Sequence, residues 1–125
     1  MGNTVKIAVN GTLRDFLIVH QGLPSYIYDN SCNGTWLLMK YIYENRVWHS
    51  GNINTYENSD IHTYLNNTFL NLFESNIRNA IKQVKIPYRE YGGVGSTDAS
   101  SSLGIRPSLI LPADTLVSDD GTITI

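Results

Sequence analysis

Cys32 is the only thiol in this 125-residue chain. No intrachain disulfide can form, and no thiol pair is available for redox or metal chemistry, so stability has to come from packing. An excess of positive charge is missing as well. Nine Lys and Arg stand against eleven Asp and Glu, a net charge of -2 with a pI near 5.8, which gives no electrostatic footprint for nucleic acid. No apolar run is long enough to span a bilayer, and the first residues, MGNTVKIAVNG, lack the apolar core of a signal peptide. Gly2 stands where a myristoylated chain would have it, but Lys6 occupies the position that wants Ser or Thr. The chain is therefore expected to be made in the cytosol, with neither nucleic acid nor membrane as a partner.

Catalytic and metal-binding motifs are equally scarce. There is no HExxH, HxH, GxSxG, P-loop or paired-carboxylate motif, and His20, His49 and His62 share no helix-face spacing that would form a zinc site. Asp29 to Gly34 mimics the first half of an EF-hand loop. The twelfth position, which needs a bidentate Glu, is Lys40, so the segment reads as a turn. Cys32 in that turn has no adjacent base to activate it. No cofactor is expected and the chain does not read as an enzyme. Asn10, Asn33 and Asn66 head N-x-Ser/Thr sequons, which carry no glycosylation meaning without secretion.

What is present is a hydrophobic fraction of 42%, ordinary for a globular chain and enough for one core over residues 1–125. Val5, Ile7 and Val9 alternate with less apolar neighbours, then comes Asn10-Gly11, then the run Phe16 to Val19. That is a hairpin pattern, because both turn residues tolerate positive φ. Gly22 to Gly34 is a connection. Trp36 to Tyr43 reads as a buried strand, with Tyr41 and Tyr43 on one face. From Ile61 the period becomes helical, with Ile61, Tyr64, Leu65, Phe69, Leu72 and Phe73 on a stripe that Thr68 completes. Asn58 or Ser59 caps this helix and Asp60 suits its positive end. Ser75 is expected to cap a second helix, with Ile77, Ala80, Ile81 and Val84 as its face and Pro87 as its stop. Gly92 to Gly104 has no apolar period and reads as a flexible loop. Ile105 to Leu111 resumes strand character, Asp119-Asp120-Gly121 is a turn, and Thr122 to Ile125 is a last short strand. The expected core joins Ile61, Leu65, Phe69, Phe73, Ile77 and Ile81 to Trp36 and Leu38.

Particular stretches resemble a known family. WLLMKYIYENRVW, SDIHTYLNNTFLNLF and SNIRNAIKQVKIP, between Trp36 and Pro87, resemble the front half of a bacterial and prophage domain family of uncharacterised function. The likeness begins at TVKIAVNG and FLIVHQGLP, and LGIRPSLILPADTLVSDDGT resembles the family's closing segment. Members carry a long middle segment with aromatic and glycine-rich loops, which Gly92 to Gly104 replaces here. The resemblance implies a compact α+β, C-type-lectin-like scaffold: an antiparallel sheet with two helices and with the N- and C-terminal strands paired, the candidates being Val5–Val9 and Ile105–Leu111.

Two features offer a contact surface. Arg78, Lys82, Lys85 and Arg89 recur at near-helical spacing, either as a solvated face or as a contact with an acidic neighbour. Among the eight tyrosines, Tyr88 and Tyr91 flank the shortened junction, and tyrosine gives large contact area at low entropic cost. The candidate contact surface is therefore Tyr88, Arg89, Tyr91, Arg78 and Lys82. With the resemblance, the expectation is a non-enzymatic phage or prophage virion protein on the particle exterior, a capsid decoration or tail accessory. Its partners would be other capsid or tail proteins in an oligomeric assembly. The alternative is a lectin-like module that binds carbohydrate or a host-surface glycan.

Overall fold

The computed structural model describes residues 3–47, 59–84 and 102–124. The fold is α+β, an antiparallel sheet packed against one main helix. Strands β1 (Thr4–Val9) and β2 (Thr12–Gly22) form the expected hairpin. Asn10 and Gly11 have φ of 53° and 81°, the left-handed pair that lets a two-residue turn match the twist of its strands. β2 pairs with β3 (Gly34–Met39), and β3 with β6 (Ser108–Leu111), giving the sheet order β1-β2-β3-β6. Two ribbons accompany this sheet. One is β4 (Glu44–Val47) with β5 (Ser102–Ile105), and the other is β7 (Leu116–Val117) with β8 (Ile123–Thr124).

The 105–111 run does not pair with Val5–Val9, as was expected, because β2 and β3 stand between them. The two ends of the chain meet through different residues: Lys6 N–H donates to Gly121 O at 2.8 Å, and Lys6 and Thr122 form a parallel bridge. Other bonds close the sheet edges. Asn10 N–H donates to Leu72 O at 2.8 Å beside the Val9–Phe73 bridge, and Lys82 N–H donates to Ile110 O at 2.9 Å on the far edge. Satisfied edge groups blunt the tendency of a sheet to recruit another strand.

The main helix spans 60–72. Ser59 caps it, its side-chain oxygen accepting from His62 N–H at 3.1 Å, which satisfies one of the free amides of the first turn. One α turn, α1 (Asp60–Thr63), passes into a π-helical stretch, Tyr64–Phe69, and then a 3-10 turn, Leu70–Leu72. In π geometry the hydrogen bonds span five residues, so Tyr64 and Phe69 come together on one face, their rings tilted at 43° with centroids 6.2 Å apart. The expected stripe loses Thr68 for that reason: the wider turn leaves it exposed. After Phe73, Glu74 and not Ser75 occupies the N-cap of α2 (Ser75–Ala80). This helix ends well before Pro87. Ile81 is extended and the next amide, of Lys82, joins the β6 edge, so a tertiary hydrogen bond ends the helix before proline can.

The core lies between one face of the sheet and the helices. Val5, Ile7, Val9, Phe16, Leu37, Met39, Leu109 and Leu111 meet Ile61, Tyr64, Phe69, Phe73 and Ile77, with Leu65 and Ile81 partly buried against them. Leu37 and Met39 therefore hold the core positions of β3, and Trp36 and Leu38, expected there, are only half-buried. Adjacent strand residues point to opposite faces, so that choice of parity moves the whole set. The strand also ends earlier than expected, at Met39. Lys40 N–H bonds to Asp15 O at 2.9 Å as the chain bends away, leaving Tyr41 exposed and Tyr43 half-buried on Phe69. At the far end of the expected Gly92–Gly104 loop, residues 102–104 belong to β5, and the remainder lies outside the described residues.

Candidate functional site

Where the main helix, the β5–β6 bend and β3 converge, the surface opens into a groove of about 440 Å³. Its lining is mixed: Leu38 from β3, Ile61 and Leu65 from the helix, Ile105, Arg106 and Pro107 from the bend, and Ser108 from the start of β6. The bend is tied down on its inner side. Met39 N–H donates to Pro107 O and Tyr43 N–H to Ile105 O, both at 2.8 Å, and Arg106 Nε donates to Met39 O at 2.9 Å. Arg106, an exposed residue of the groove lining, is thereby anchored through Nε. The helical wall includes the start of the π stretch, a rare geometry that recurs at functional sites.

A polar cluster borders this groove. Glu44 pairs with Ile105 across the β4–β5 ribbon, and Tyr64 precedes the wall residue Leu65. The Tyr64 hydroxyl donates to Glu44 Oε1, and the Arg46 guanidinium carbon lies 3.6 Å from the centroid of the Tyr64 ring, a cation on a π face. Arg46 also approaches Glu44 at 3.7 Å. Burial, then the hydrogen bond to Glu44 and its negative charge, hold the Tyr64 phenol well above its ordinary value, with Arg46 opposing them. A phenol held neutral in this way is a donor and a tether, and a poor nucleophile.

The expected contact residues are only partly in view. Tyr88, Arg89 and Tyr91 lie outside the described residues, as do His49 and Lys85. Arg78 and Lys82 are described, and each bonds a separate backbone carbonyl. Arg78 Nη1 donates to Phe73 O at 3.2 Å, and Lys82 Nζ to Asn33 O at 2.7 Å. Lys82 lies beyond the end of α2, so the two cations do not share a helix face. Asp29 closes a turn, its carboxylate accepting from Ser31 N–H at 2.8 Å, and Cys32 is fully buried. Among the described residues, no group of three His, Cys, Asp or Glu side chains is placed to hold a metal ion, and no helix is long and apolar enough to cross a membrane.

Residues 33–101, just over half of the chain, match the family model of a domain of unknown function, DUF6273. The chain belongs to this family. No match was found among curated proteins or among solved structures. The DUF6273 region supplies Leu38, Ile61 and Leu65 of the groove and the whole Glu44–Arg46–Tyr64 cluster, whereas Ile105, Arg106 and Pro107 follow it. The groove escaped the sequence reading because its walls come from three separate stretches. One local signal was available: Arg106 is a lone cation in the apolar run LGIRPSLIL.

Proposed function

We propose that this chain is a non-enzymatic structural protein of a phage or prophage virion, on the particle exterior as a capsid decoration or tail accessory. The observation that carries the reading is the display of large apolar side chains on turns. Tyr26 is 95% exposed, and Ile27, Tyr41 and Ile42 are all more than half exposed. Such side chains, held on a compact scaffold, suit contacts with protein neighbours. Many weak contacts of this kind gain avidity when the chain is repeated on a particle. Tyr88, Arg89 and Tyr91, with Arg78 and Lys82, belong to the same proposal as further contact residues.

The finer fold assignment, a C-type-lectin-like scaffold of bacterial or prophage origin, is part of this reading. Its support is the meeting of the two chain ends at Lys6 and Gly121, together with the sequence resemblance.

The test is co-sedimentation of the purified chain with intact particles of the phage or prophage that encodes it. Saturable binding is expected, weakened by the paired changes Tyr26→Ser and Tyr41→Ser and by Tyr88→Ala with Tyr91→Ala. Micromolar binding on a glycan array, with no affinity for any particle component, would overturn the reading in favour of the carbohydrate-binding alternative.

A further inference from the structure

We infer that Asn66 and Asn67 set the register of the main helix, and that this register decides whether the β4–β5 ribbon is held against it. Two side-chain amides carry the observation. Asn66 Nδ2 donates to His62 O at 2.9 Å, and Asn67 Nδ2 donates to Thr63 O at 3.1 Å. Each acceptor lies four residues back, where the backbone N–H of the same asparagine would bond in an α-helix. A side chain that serves that carbonyl competes with the backbone ladder and lets it slip. The slip follows at once: Leu70 N–H reaches back five residues to Leu65 O, as well as to Asn67 O. Both asparagines stand in the middle of the π stretch Tyr64–Phe69 and are exposed, so core packing does not demand them. The 3-10 turn Leu70–Leu72 then winds more tightly and takes back part of the angle that the wide turn lets out.

The register matters because two helix residues hold the ribbon. The Tyr64 hydroxyl donates to Glu44 and its ring lies under Arg46, both of β4. Phe69 meets Tyr43, the residue before β4, edge-on at 5.2 Å. In an α-helix, positions five apart point about 140° away from each other, so one of the two would leave the ribbon. Thr68, four residues on from Tyr64, would take the place of Phe69. The π turn keeps both aromatic residues on the ribbon side, at 7% and 4% exposure. Asn66 and Asn67 are thus positioning residues, acting on the ribbon through the turn, and the helix is a latch with two settings.

The register belongs to the free chain, whatever the chain binds, so failure of the virion reading leaves it untouched. In ¹³C,¹⁵N-labelled protein, couplings across hydrogen bonds pair each donor with its acceptor. Leu70 N–H of the wild type is expected to couple to the Leu65 carbonyl. Asn66→Asp with Asn67→Asp removes both donors at nearly constant size and helix propensity. In that variant the Leu70 coupling should move to the carbonyl of residue 66. The amides of Glu44 to Val47 should exchange with solvent about tenfold faster, a local opening, while those of β1 to β3 keep their wild-type rates. Tyr64→Phe, which removes the tether and leaves the asparagines, should free the ribbon and keep the Leu70–Leu65 coupling. A π register retained in the double variant would overturn the inference. Its loss in Tyr64→Phe would do the same, because the tether would then be the cause and the register its effect. Should the Asp pair fail to fold, Asn66→Ala with Asn67→Ala, the strongest α-former at both positions, answers the question: a move of Leu70 to residue 66 supports the inference and a retained Leu65 coupling overturns it.

Discussion

The hydroxyl of Tyr64 donates to the carboxylate of Glu44, and this bond joins the main helix to the β4–β5 ribbon. The two residues are twenty positions apart in sequence, and the contact locates the ribbon beside the groove. Tyr64 is only 7% exposed, whereas the Glu44 side chain is 38% exposed, so the bond is shielded on the helix side and open to water on the ribbon side.

A pH dependence follows from that bond. The Tyr64 phenol is held above its ordinary value of 10, so the folded state keeps its proton where the unfolded state begins to lose it. The stabilisation is fully present below about pH 10 and declines as pH rises further towards the folded value. Urea melts at pH 8 and above pH 10 should show wild type losing more stability than Tyr64→Phe, and the variant should be weaker by about 1–3 kcal/mol at pH 8. Identical alkaline profiles for the two proteins would remove Tyr64 from the tether.

Phe69 is the centre of the aromatic part of the core. Its ring lies 5.2 Å from that of Tyr43 and 5.4 Å from that of Phe73, both edge-on, an arrangement favoured by the aromatic quadrupole. Phe69→Ala should cost about 3–5 kcal/mol, through lost burial and the cavity left behind. Leu65→Ala, at a groove wall and only partly buried, should cost clearly less. Denaturant midpoints at constant m-value test the order, and a larger effect at Leu65 would contradict the burial described.

How much of this was legible depends on what fixed each element. Asn10-Gly11 specified its hairpin locally, and Ser59 with Asp60 announced the helix start, because turn and cap chemistry act on the nearest residues. The parity of β3 was hidden: WLLM is apolar throughout, and only pairing with β2 and β6 decides that Leu37 and Met39 face the helices. Likewise the end of α2 is set by Ile110, far away in sequence, and the exposure of Thr68 by a π turn that a fixed helical period does not anticipate. The candidate site was the least legible part. Leu38, Leu65 and Arg106 have no common spacing, and they become a groove only when the sheet brings 105–108 beside 38–43.

Gly34 offers a test of how tightly β3 and β6 are joined. A Cβ built there would stand 2.5 Å from Leu111 O and 2.8 Å from Ile110 Cγ2, closer than packed atoms tolerate. The backbone carbonyl cannot rotate away without loosening the strand. Gly34→Ala should destabilise the fold by about 1–3 kcal/mol, as overpacking does, and amide exchange should quicken first in β6. A neutral substitution would mean that the strands stand further apart than described.

The last prediction concerns the closing hairpin of the chain. Asp120 accepts from the Ser118 hydroxyl and from Thr122 N–H. These bonds, the Ser118 one foremost, bring its carboxyl down from 3.8 to about 2. A depressed value means that the ionised carboxylate is the form bound in the folded state. Its contribution is therefore complete above about pH 4 and is lost as pH falls towards 2. Asp120 is fully exposed to solvent, so the effect should be local: a loosening of the β7–β8 turn. That turn includes Gly121, whose carbonyl accepts from Lys6, so the change should reach the edge of β1. Amide spectra recorded from pH 6 to pH 2 should show Thr122 and Lys6 shifting together with a midpoint near the lowered carboxyl value. Asp120→Asn should abolish the transition at both amides. If Lys6 shifts with an ordinary carboxylate midpoint, or keeps its transition in the variant, the coupling between this turn and the first strand is not carried by Asp120.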